Sequence, residues 1–175
     1  MKLIASIQLT QAEVAEYASR YNYKLEDKIL SAVDQVREQG FLSKLQFQQI
    51  CEWKSQRIRS RVQANSEESI INTTKLALGT QDIRLSVHLL QALHGVGMPV
   101  ASSILHWYHP EPFPILDFRA LWTLGLQVPK SYTLDFWEDY VQLIRSISKS
   151  WQVDLRTLDK ALWQYSTEHQ PPNNN

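Results

Sequence analysis

Residues 93–105 read LHGVGMPVASSIL. Two of the chain's five glycines, Gly95 and Gly97, stand one residue apart between apolar segments of helical spacing, and Pro99 follows at once. Glycine loses more conformational freedom on folding than any other residue. A pair placed here therefore answers a backbone need, either positive φ or an approach too close for a β-carbon. Pro99 suits the first residue of a new helix, where a missing N–H removes no hydrogen bond. The stretch reads as helix, tight glycine turn, helix. Such a turn presents N–H groups at a helix N-terminus, which can receive a phosphate oxygen. A plain packed pair of helices would show the same spacing.

Helical periodicity extends outward on both sides. Helices are expected at 10–21, 25–38, 45–63, 67–78, 82–93, 99–107, 118–124, 133–151 and 154–168. Within 25–38, Leu25, Ile29, Val33 and Val36 are helically spaced, and Gly40 lies just beyond the end. The strongest segment is 133–151, where Trp137, Tyr140, Val141, Ile144, Ile147 and Trp151 share one face, a stripe typical of a core. No segment reads as a convincing strand and no repeat appears. The expected class is all-α, as one domain over 1–168 with room for two lobes, and 169–175 as a disordered tail ending QPPNNN.

Composition bounds the function. A chain of 175 residues is long enough for one sizeable core. Lys plus Arg and Asp plus Glu both number 18, so net charge is zero and any basic surface must be local. One cysteine, Cys51, excludes an internal disulfide framework and any four-cysteine metal or iron–sulfur site. The start MKLIASIQLT is too poor in apolar residues for a signal peptide, and no stretch reaches the roughly 18 apolar residues of a membrane span. A soluble cytoplasmic protein without membrane attachment is expected. Oligomeric state is left open.

Downstream of the hairpin stand His109, Pro110, Glu111, Pro112, Phe113 and Pro114, a segment that cannot be helical throughout. Ile115, Leu116, Asp117, Phe118 and Arg119 then open another helix. In this region, residues 83–125, the chain resembles the helix-hairpin-helix DNA glycosylase superfamily. The family's hairpin pattern, L-x-G-V-G-x-x-x-A, is matched by Leu93, Gly95, Val96, Gly97 and Ala101. Its essential aspartate follows a proline-containing loop, and Asp117 occupies that place, twenty positions after Gly97. The resemblance implies a helix-hairpin-helix glycosylase-like bundle. It also implies binding to double-stranded DNA, with Gly95, Val96 and Gly97 on a phosphate and a catalytic Asp117. Where bifunctional members carry a Schiff-base lysine, this chain has Met98, Pro99 and Val100. Monofunctional hydrolysis with no cofactor is the form implied. Phe118 and Arg119 replace the Thr or Ser and the His or Asn that many members place after the aspartate.

The residues themselves admit bland readings beside these. Asp117 would cap a helix beginning at Phe118 whether or not it is catalytic. As one helix, 45–63 would set Lys54, Arg57 and Arg61 on a single face. Residues 52–61 hold four basic residues against one acidic, a stripe suited to a DNA backbone or simply to solvent. Arg119, Lys75 and Lys130 are candidates to extend it. Trp107, Tyr108, Phe118 and Trp122 are candidates to line a base pocket, or else core. His106 and His109 have metal-chelating spacing but no third ligand, so no metal site is expected. Cys51, beside Ile50, reads as a buried structural thiol. The leading expectation is base excision from damaged or mismatched DNA. A non-enzymatic hairpin DNA-binding protein and a helical protein-interaction module are the alternatives.

Overall fold

The structure, a computed structural model, describes residues 3–23, 26–109 and 112–171. Its α-helices, numbered along the chain, are α1 Val14–Arg20, α2 Glu26–Leu30, α3 Val33–Gln39, α4 Lys44–Lys54, α5 Arg59–Gln63, α6 Glu67–Gly79, α7 Ile83–Gln91, α8 Met98–Tyr108, α9 Phe118–Thr123, α10 Leu134–Trp151 and α11 Leu155–His169. No strand occurs among the described residues, and the chain is all-α. No helix described is long and apolar enough to cross a membrane. Leu25, Pro110, Glu111 and the final part of the expected tail, 172–175, lie outside the described residues. Within 169–171 the expected disorder is corrected in part: α11 runs to His169, and the Gln170 N–H donates to Ser166 O at 2.9 Å.

Helix starts follow local chemistry. Ser43, Ser66, Asp82, Asp117, Thr133 and Asp154 are N-caps, and each side chain accepts a backbone N–H from the first turn. At Ser43 the cap is reciprocal, since the Gln46 side chain accepts the Ser43 N–H. Gly40, at φ +75°, ends α3 in the left-handed region.

Two expected helices are interrupted. The segment 25–38 divides into α2 and α3 around Ser31 and Ala32. The segment 45–63 divides at Ser55, whose extended backbone (φ −161°, ψ 110°) ends α4 and leads through the short 3-10 turn Gln56–Ile58 into α5. Burial explains the second break. Trp53 and Val62 are both buried, yet nine helical steps of about 100° would set them on opposite faces of a straight helix. The break turns both inward. Lys54, Arg57 and Arg61 therefore do not form one helical stripe, and that expectation is corrected.

The chain divides into two compact units, Tyr23–Phe113 and the discontinuous pair Met1–Asn22 with Pro114–Asn175. In the first unit α8 packs against α3, α4 and α7. Every residue of α8 except Pro99 is buried, and a helix apolar nearly all round belongs in a core. The Ser102 and Ser103 hydroxyls, buried with it, donate to Pro99 O at 2.8 and 2.9 Å. In the second unit α11 packs against α1, α9 and α10. The amino-terminal segment joins it by Ser6 N–H to Leu124 O and Gln8 N–H to Thr123 O, both 2.9 Å. Gly125, at φ +68°, makes the closest approach: a β-carbon there would lie 2.6 Å from Ser6 O.

Candidate nucleic-acid interface and carboxylate

The hairpin lies in the first unit. Asp82 starts α7 by accepting the Arg84 and Leu85 N–H groups at 2.9 and 3.2 Å. The Val96 N–H donates to Leu93 O at 3.1 Å and tightens the turn. Gly97 is the N-cap of α8, its carbonyl accepting from Val100 and Ala101 at 3.0 Å each. No hydrogen bond to the N–H groups of Gly95, Gly97 or Met98 occurs among the described residues, and Gly97 is exposed. Val96 is buried and its N–H is taken by Leu93 O, so neither its side chain nor its N–H is open to a ligand, and the expected phosphate contact at Val96 is corrected.

The two glycines differ. Gly95 has φ +86°, and a β-carbon on it would lie 2.9 Å from Val62 Cγ2 and 3.3 Å from both Val62 N and Arg61 Cβ. Both expected reasons for glycine apply here. Gly97 has φ −92° and ψ 179°, and its β-carbon would meet nothing nearer than Pro99 Cδ at 3.8 Å. Neither reason applies, and the expectation for Gly97 is corrected. The new helix also begins one residue before Pro99, at Met98.

Asn65, which the sequence did not single out, holds the turn. It is buried, its Oδ1 accepts the His94 N–H at 2.8 Å, and its Nδ2 donates to His94 O at 3.0 Å and Val62 O at 2.9 Å. The side-chain amide thus bonds both polar groups of His94 as a second peptide would. Its partner is 29 positions away, beyond the reach of spacing arguments.

The hairpin is seated on α5, and this gathers part of the basic segment. Arg61 leaves the chain beside Gly95 and is exposed, as are Arg57 and Arg59. Arg59 pairs with Glu52 at 3.2 Å. Lys54, at the end of α4, is half-buried. Lys75 is exposed on α6. Trp107 and Tyr108, expected as pocket candidates, are core residues of this unit. Trp107 meets Trp53 edge-on at 6.0 Å, and burial pushes the Tyr108 phenol up. Cys51 is buried, and burial raises its thiol well above its ordinary value, with the Glu52 charge adding.

His106 is also buried. Its Nδ1–H donates to Phe113 O at 2.7 Å, tying the end of α8 to the segment that follows. No group of three metal-ligating side chains occurs among the described residues.

The carboxylate lies in the second unit. Ile115 and Leu116 are buried, and the Tyr140 hydroxyl donates to Ile115 O at 2.9 Å, fixing the approach to Asp117. Tyr140 belongs to the expected core stripe of α10; its anchoring of this loop was not legible. Asp117 is half-buried and its Oδ1 accepts the Arg119 N–H at 2.9 Å, capping α9. Its charge also reaches two phenols. Burial raises Tyr132 and Tyr140 above the usual phenol range, Tyr140 strongly, and Asp117 adds to both, together with Asp159 at Tyr140.

The α9 residues that follow Asp117 include aromatic and cationic side chains. The Arg119 guanidinium lies 5.3 Å from the Phe118 and Trp163 ring centroids. Phe118 is 41% exposed, and half-buried Trp122 stacks on Tyr165 at 6.3 Å. Of the four pocket candidates, only Phe118 and Trp122 share a unit with Asp117. Lys130 is exposed in this unit. No family model matches the chain, and no curated protein or solved structure matches it.

Proposed function

We propose that this protein binds double-stranded DNA through the hairpin and hydrolyses an N-glycosidic bond, as a helix-hairpin-helix glycosylase without a lysine nucleophile. One observation carries the reading. At the Gly95 turn the N–H groups of Gly95, Gly97 and Met98 have no acceptor among the described residues and lie near the exposed Arg61, a combination of dipoles and charge suited to a phosphate. Arg57 would add a backbone contact, and Arg119 another beside Asp117. In the chemical step the bond between sugar C1′ and base nitrogen breaks, and positive charge develops on the sugar. Asp117 would stabilise that charge while water adds to C1′; the base leaves with one water proton and the sugar keeps the hydroxyl. Phe118 and Trp122 are the rings left to meet an extruded base.

A second reading, a DNA-binding protein without catalysis, is favoured by the use of Asp117 Oδ1 as a cap and by the burial of Trp107 and Tyr108. Single-turnover base release tests both, using duplexes carrying alkylated, deaminated, oxidised and mismatched bases, with Asp117→Asn run alongside. Release by wild type and none by the variant is expected. Equal rates would reduce Asp117 to a cap. Salt-dependent binding with no release would favour the second reading, and absence of binding would favour a protein-interaction module.

A further inference from the structure

We infer that Asn65 is a positioning residue, locking the hairpin onto α5 so that the hairpin amides and the Arg61 guanidinium meet the same phosphate. The inference rests on the DNA-binding reading and deepens it. Three hydrogen bonds of 2.8 to 3.0 Å converge on one buried side chain, and two of them take both backbone polar groups of His94, the residue before the Gly95 turn. The third takes Val62 O, from α5 itself. Arg61 and Val62 are also the residues against which Gly95 is packed with no room for a β-carbon.

One amide therefore fixes the place of the turn relative to the helix that carries Arg61. Without it, the amides and the guanidinium would still exist but would no longer be held in register. An anion bound by several donors at once depends on that register, since each donor misplaced must be brought in at an entropic cost. Asn65 is itself buried against protein groups, so its effect on DNA would be wholly indirect.

The test uses the full chain and a plain duplex, with Asn65→Ala, Asn65→Ser, Arg61→Gln and the Asn65→Ala/Arg61→Gln pair. Binding is followed by fluorescence anisotropy over a range of salt, folding by circular dichroism, and exchange of the Gly95 and Gly97 amides by NMR without DNA. Asn65→Ala should stay helical, exchange those amides faster and bind roughly tenfold more weakly. The slope of log K against log salt should become shallower by about one contact. Arg61→Gln should cost much less in the Asn65→Ala background than alone. Folded Asn65 variants with wild-type affinity and slope would overturn the positioning role, and additive effects with Arg61→Gln would overturn the shared phosphate. Unfolding of both Asn65 variants would make the residue one of stability alone and overturn it as well. Failure of wild type to bind duplex would remove the DNA reading and this role together, an outcome visible before any variant is compared.

Discussion

Replacing Gly95 by alanine isolates the physical requirement at the hairpin. The left-handed backbone at φ +86° costs a non-glycine residue about 1–2 kcal/mol. The new β-carbon would also stand 2.9 Å from Val62 Cγ2 and 3.3 Å from Val62 N. Val62 is fully buried and its backbone carbonyl is held by Asn65, so the neighbour has little freedom to retreat. Overpacking of this kind costs roughly 1–3 kcal/mol, which gives about 3 kcal/mol of destabilisation for Gly95→Ala when the two are combined. Gly97→Ala meets neither obstacle. Its poorer capping is opposed by the reduced freedom of the unfolded chain, leaving a net change within about 0.5 kcal/mol. Gly97→Ser supplies a capping hydroxyl and should stabilise slightly. Urea unfolding followed by circular dichroism, with all three variants and wild type in parallel, measures the contrast. A Gly95→Ala protein as stable as wild type, or equal losses at the two glycines, would refute the reasoning.

At Asp117, Asn retains capping ability, so Asp117→Asn should lose well under ~1 kcal/mol in urea unfolding, whereas Asp117→Ala should lose about 1 kcal/mol. If the carboxylate is catalytic, both should lower single-turnover base release by about a hundredfold or more. Gly125→Ala combines φ +68° with a β-carbon 2.6 Å from a backbone oxygen, and should cost about 3 kcal/mol or more, read as a lowered urea midpoint. Acid should weaken the second unit. Arg20 and then Gln164 hold Glu168 below its ordinary 4.5, and although burial tends to raise Asp154, its hydrogen bonds to Thr157 and neighbouring amides hold it below 3.8. Groups with depressed values stabilise the fold above their unfolded values and lose that contribution as pH falls through the folded ones. Urea midpoints should therefore drop on acidification below about pH 4.5, and Arg20→Gln should flatten the Glu168 part of that drop.

The features legible in the chain are the local ones. The N-caps at Asp117, Thr133 and Asp154 act within three residues, and the core face of α10 repeats at helical spacing, with Trp137, Tyr140, Val141, Ile144 and Ile147 all buried. The glycine turn was legible for the same reason: few residues but glycine accept the backbone of position 95. Tertiary structure alone decided the rest. Gly95 differs from Gly97 because α5, more than thirty positions earlier, packs against the first and not the second. Arg61 joins the hairpin, and the basic stripe dissolves, because burying both Trp53 and Val62 requires a break at Ser55 that no local glycine or proline announces. Trp107 and Tyr108 become core because α3, α4 and α7 pack against α8. Asn65 is a buried clamp because its amide finds the peptide groups of His94 across a gap of 29 positions, and spacing along the chain carries no trace of a partner chosen by packing.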